Sequence, residues 1–89
     1  MPRVSEFFGI VIAIYYDDAG QHSRPHFHAT YAEHRAVFSI PGADLLAGTL
    51  PRRQRRLVQG WAALHEAELE QAWARALNME PPGTIDPLR

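Results

Sequence analysis

The residues that most constrain this chain's fold are 25–31, Pro-His-Phe-His-Ala-Thr-Tyr. Pro25 lacks an amide donor and disfavours helix in the residue before it, so the chain enters His26 extended. From there Phe27, Ala29 and Tyr31 point one way, while His26, His28 and Thr30 point the other. A period of two this regular cannot present one face as a helix. It specifies a strand with an apolar side to bury and a polar side carrying two imidazoles. Those imidazoles, two residues apart, lie about 7 Å apart along the strand, close enough to share a phosphate, a metal ion or a water.

The flanking segments extend this strand into a meander. Gly9 to Tyr16 is rich in β-branched and aromatic residues, with Ile10, Ile12, Ile14 and Tyr16 on one face and Val11, Ala13 and Tyr15 on the other. A strand apolar on both faces is usually covered on both, so either Phe7 and Phe8 fold back over one of them or a partner covers it. Asp17 to Gln21 forms a turn. Ala32-Glu33-His34 connects to a third strand, Arg35 to Ile40, which Pro41-Gly42 stops, and Ala43 to Gly48 adds a short edge strand. Matching the faces gives a core side of Ile10, Ile12, Ile14, Phe27, Ala29, Tyr31, Ala36, Phe38 and Ile40. Tyr15, His26, His28, Thr30, Val37 and Ser39 form the opposite side.

After Thr49-Leu50-Pro51 the period changes. Val58, Trp61, Ala62, His65, Leu69, Ala72, Trp73 and Ala76 recur at helical spacing within Arg52 to Leu77. Unbroken, this helix would be ~39 Å long, longer than the sheet it covers, so a bend or break belongs near His65-Glu66. Trp61 and Trp73 read as core, and His65 as a satisfied, semi-buried histidine; His34, in the hairpin connection, reads as exposed. Pro81-Pro82-Gly83 ends the helical region. The expected fold is a single α+β domain spanning residues 1–89: a small antiparallel three- to four-stranded sheet with one face covered by a long or bent C-terminal helix.

Composition narrows the classes. The chain has no cysteine, which excludes disulfides and thiolate metal sites. The apolar run Phe7 to Tyr16 is too short to span a bilayer and lacks a following small-residue cleavage site, so a cytoplasmic protein without a signal peptide or membrane association is expected. A net charge of −1 gives no global attraction to nucleic acid, so binding of that kind requires a local patch.

The combined motifs resemble a small bacterial family, domain of unknown function 4160. They are the strand Phe7 to Ile12, the turn Tyr16 to Asp18, Pro25 to His28, the helix start Gly48 to Pro51, and the helix Leu57 to Trp73. Ala19-Gly20-Gln21 looks like an insertion, which leaves His22 matching the histidine that follows the two aspartates in the family pattern. Members of this family resemble neighbours of a second family, domain of unknown function 2442, an arrangement similar to toxin–antitoxin pairs. His26-Phe27-His28, Ile40-Pro41, Asp44-Leu45 and Gly48-Thr49-Leu50 also resemble the later half of HicA-type mRNA interferases, which use a strand histidine.

These features allow three functional readings. In the first, the chain is a toxin–antitoxin-type component contacting RNA. His26 and His28 supply the general acid and base that metal-independent RNA cleavage needs, because imidazole changes charge near neutral pH. Tyr15 and Ser39 then orient phosphate, and Arg52, Arg53, Arg55, Arg56 and His22 bind the anionic backbone. Four cations at a helix N-terminus oppose the macrodipole, an arrangement that an anionic partner would offset. The second reading is a non-enzymatic regulator or antitoxin module that binds DNA or a partner. The third is a metal site joining His26 and His28 with Asp17, Asp18, His22 or Glu33. The partners implied are RNA, a cognate small protein and a second copy of the chain; no cofactor is implied.

Overall fold

Two tight turns decide how the sheet is laid out. In the computed structural model, which describes residues 3–15 and 24–89, strand β1 (Arg3–Phe7) turns through Phe8-Gly9 into β2 (Ile10–Ala13). Both turn residues have positive φ, 51° and 78°, as a type I′ hairpin turn requires. Phe8 is thereby pushed into solvent, 57% exposed. Phe7 instead stays in the ladder opposite Ile10 and packs its ring on Trp61, with centroids 5.3 Å apart. These two phenylalanines therefore do not fold back as a cover; they end a strand and begin a turn.

The second hairpin joins β3 (His26–Tyr31) to β4 (His34–Ser39) through Ala32-Glu33, with Ala32 at φ 51°. β5 (Leu45–Gly48) comes next, and the sheet runs β1-β2-β3-β4-β5 with every neighbouring pair antiparallel. The sheet thus has five strands rather than three or four. The extra one, β1, is short and carries Arg3, Ser5 and Glu6, so its own sequence shows little of a strand. Its pairing is imposed by the turn at Phe8-Gly9.

The helical region is two helices, α1 (Arg52–Leu64) and α2 (Glu66–Leu77), rather than one long rod. They break at His65, whose φ −127° and ψ 29° cannot continue the α ladder. Its Nδ1 lies 2.6 Å from Glu68 Oε1 and its ring 5.6 Å from that of Trp61, so this histidine is held from both sides.

The core forms where α1 meets the sheet. Phe27 and Phe38, opposite each other in the β3–β4 register, stack at 5.5 Å, and Trp61 meets Phe27 edge-on at 6.0 Å. The expected core face is buried throughout except for half-buried Tyr31. Each large apolar side chain so placed contributes about 1.5–3 kcal/mol. Trp61 also buries its indole nitrogen, which donates to the Asp86 carbonyl at 2.8 Å. The same C-terminal tail caps the sheet: Ile85 N–H donates to the Val4 carbonyl at 2.7 Å. Among the described residues no helix is long and apolar enough to cross a membrane.

Candidate functional site

The polar side of β3 carries a row of three rings. The register places His28 between Ala13 of β2 and Val37 of β4, both small or aliphatic, so nothing bulky separates it from its neighbours on that face. Tyr15, just past β2, meets the His28 ring edge-on at 4.7 Å. The His26 and His28 rings lie 5.3 Å apart, inclined by 66°. The alternation of residues 26–31 thus places these side chains side by side. His28 and Tyr15 are half-buried.

His26 is placed differently from the expectation of a face turned away from the helices. It is buried, 8% exposed, and its ring packs at 5.1 Å on Trp73 of α2. The break at His65 gives α2 a path of its own, which brings Trp73 onto the start of β3. The His26 Nδ1 lies 2.9 Å from the Arg24 carbonyl, which orders the ring with Nδ1 protonated and Nε2 as the lone-pair nitrogen of the neutral form. His26 therefore sits more deeply than His28, held by packing and a backbone contact.

Ser39 also differs from its expected phosphate-facing place. It sits opposite His26 in register but is 1% exposed. Its Oγ accepts from Asp44 N–H at 2.9 Å and donates to the Pro41 carbonyl at 3.1 Å. That hydroxyl stitches the 39–44 loop closed and does not reach a phosphate. The loop is in turn fastened to both helices: Gln59 Nε2 donates to the Ala43 carbonyl at 2.9 Å, and Gly42 N–H donates to Glu66 Oε2 at 3.0 Å.

The arginines form a second, separate feature. Arg52, Arg53 and Arg56, with Leu57, line an open depression of about 490 Å³. Arg52 and Arg53 stand at the start of α1, whose first turn contains no acidic residue and whose N-cap, Pro51, provides no side-chain cap. Among the described residues none of the four arginines forms an ion pair; Glu66 and Glu68 are engaged with Gly42 and His65. Among those residues, then, nothing compensates the positive field at this end of α1.

The metal grouping fares differently. Among the described residues no three His, Cys, Asp or Glu side chains come together as a metal would need. Glu33 sits in the β3–β4 turn, its carboxylate 4.0 Å from His34 Nε2, at the far end of β3 from His26. His34 itself is half-buried rather than free in solvent, stacked on Tyr31 at 6.5 Å. Asp17, Asp18 and His22 lie outside the described residues.

A family model described as Domain of unknown function (DUF4160) matches residues 9–74, most of the chain. The chain belongs to the DUF4160 family. The match runs from the β1–β2 turn to Ala74, just past Trp73, and so takes in the ring row, the arginine cluster and both sides of the His26–Trp73 contact. Of this DUF4160 chain, β1 and the tail lie beyond the match, and they meet each other through Val4 and Ile85. No curated protein and no solved structure gives a match.

For two residues with a bearing on the site, sequence alone speaks only to packing or facing. Trp73 is legible as a buried stripe residue but not as the neighbour of His26, because nothing local encodes which strand a helix residue will meet. Ser39 is legible as polar-face, but its burial depends on a loop closed by tertiary contacts.

Proposed function

We propose that this chain is a toxin–antitoxin-type component that contacts RNA and cleaves it at the Tyr15–His28–His26 row. The observation that carries this reading is the row itself: two imidazoles 5.3 Å apart, one of them flanked at 4.7 Å by a phenol ring. A nucleobase stacks on the ring face of half-buried Tyr15, and single-stranded RNA is read by this kind of aromatic contact. In the cleavage step one imidazole removes the proton of the ribose 2′-hydroxyl as its oxygen bonds to phosphorus. The other protonates the departing 5′-oxygen, leaving a 2′,3′-cyclic phosphate and a free 5′-hydroxyl. His28, half-buried, takes the hydroxyl side; His26, ordered by Trp73 and Arg24, supplies the second proton position. Arg52, Arg53, Arg55 and Arg56 track the flanking phosphates, which makes binding steeply salt-dependent.

The test is cleavage of a ribo-oligonucleotide by the purified chain, in the presence of a chelator. We expect a bell-shaped pH–rate profile, no cleavage of the matched deoxy-oligonucleotide, and loss of activity in His28→Ala and His26→Gln. Glutamine is chosen for His26 because its burial makes truncation a folding perturbation. Undiminished cleavage by the folded double variant would remove the chemistry. Equal salt slopes for wild type and a fourfold Arg→Gln variant would remove the arginines from the RNA contact.

A further inference from the structure

The two edges of the sheet are treated in opposite ways. At β1 the tail is laid alongside and bonded to Val4, and Arg3 and Glu6 pair across the strand surface at 2.8 Å. At β5 there is no such cover among the described residues. Leu45, Leu46, Ala47 and Gly48 are all exposed, they include no charge and no proline, and among the described residues no strand lies beyond them. A bulge leaves Leu46 outside the β4 pairing, so two leucines stand 38% and 37% exposed on adjacent positions. Gly48 ends the strand at φ 70°, where a Cβ would overlap the Arg35 carbonyl oxygen. This locks the β5 backbone tightly against β4, and although the bulge bends the strand, no described strand pairs with its outer side. Natural proteins blunt such an edge with charge, proline, a covering segment, a bulge or short length, and among the described residues β5 has only the last two.

The arginine cluster next to β5 indicates which occupant the edge takes. Just beyond Gly48, α1 begins with that cluster, and Arg52, Arg53 and Arg56 line their depression with Leu57. We propose that β5 is a docking edge for an extended acidic segment of a partner protein. The segment adds a sixth strand to the sheet, sets its apolar side chains against Leu45 and Leu46, and carries carboxylates into the arginine-lined depression. Main-chain hydrogen bonds supply the binding and the alternate side chains the selectivity, the general logic of strand addition. A second copy offers this edge Asp44 as the one carboxylate flanking its own β5, too few to meet the four arginines. An acidic segment instead meets cations that no described carboxylate pairs. Because the same arginines track phosphates in the proposed RNA contact, partner and RNA compete for them; that competition rests on the RNA reading, whereas docking at β5 does not.

The test is selection of a random decapeptide display library on the intact chain, followed by amide hydrogen exchange with the selected peptide bound. We expect enrichment of β-branched residues alternating with Asp or Glu, and exchange at Leu45–Gly48 slowed by about tenfold or more. Affinity should fall about tenfold in an Arg52→Gln, Arg53→Gln, Arg56→Gln variant, as loss of several charge-assisted contacts implies. Leu46→Asp, at an exposed position, should abolish selection without unfolding the chain. Selected peptides with no acidic excess, or protection confined to α1, would overturn the proposal. Protection of β5 that rises with chain concentration alone would assign the edge to a second copy, and protection by an oligouridylate alone would assign it to nucleic acid. Repeating the selection on His26→Gln/His28→Ala separates the two proposals: docking is retained there even if cleavage fails.

Discussion

Trp61 and Trp73 sit on successive helices of one apolar stripe, yet they do different things. Trp61 is fully buried among Phe7, Phe27 and His65, and its indole nitrogen is satisfied by the tail at Asp86. It joins the first hairpin, β3, α1 and the C-terminal tail into one packing unit. Trp73, at the rim with 6% exposure, makes its ring contact with His26. One tryptophan closes the core, and the other connects the fold to the ring row. The difference teaches that burial alone does not assign a role: two residues with the same periodicity and nearly the same exposure divide structure and site between them.

The contrast predicts a graded set of effects. Trp61→Ala should be the most damaging, costing about 3–5 kcal/mol from lost burial and the cavity left behind. That is comparable to the whole stability of a chain this small, so urea denaturation should find it largely unfolded. A Trp61→Ala chain with an unchanged midpoint would break the distinction at its first member.

Trp73→Ala should cost about 3 kcal/mol, the low end for such a truncation, because a rim cavity is open to water and relaxes. Its diagnostic effect lies elsewhere. His26 should become reactive to diethyl pyrocarbonate in the folded variant, whereas Trp61→Phe should leave it shielded. Equal His26 reactivity in both variants would show that Trp73 does not cover the ring.

His26→Ala should cost about 1–2 kcal/mol, since it removes a buried ring and its contact with the Arg24 carbonyl. Its neighbour His28, half-buried, should cost about 0.5 kcal/mol when truncated. Thermal melts of the two single variants measure this gap. Identical losses would mean that Trp73 and Arg24 do not distinguish the two histidines.

The smallest effect carries an unusual sign. Arg52→Gln should stabilise the chain by about 0.3 kcal/mol, because removing a cation from the first turn of α1 relieves its opposition to the helix dipole. The same substitution should weaken binding of any anionic partner. A stability loss on Arg52→Gln would mean that the cluster is held by contacts inside the chain, which would also weaken its proposed role at the β5 edge.

Much of this protein is set locally and can be read from the chain. The period of two makes Phe27 and Ala29 core, as their full burial shows, and sets the His26 and His28 rings side by side, 5.3 Å apart. The length of the apolar stripe requires a break, and it falls at His65. Trp61 and Trp73 are recognisable as buried residues. The polar-face histidines, the site's central feature, are legible for the same reason: in a strand, neighbours two apart must share a side.

The tertiary structure alone decided which surfaces meet. β1 became a strand because a turn at Phe8-Gly9 brought Arg3–Phe7 against β2, although its own residues do not demand it. The tail capped β1 and Trp61 together, while no described segment covers β5. His26 was buried because α2, freed by the break, laid Trp73 over the start of β3. Periodicity tells a residue which side of its own element it occupies, because that is geometry within a few residues. It carries no information on what another element, distant in sequence, will place against that side, because that is settled by the packing of the whole chain.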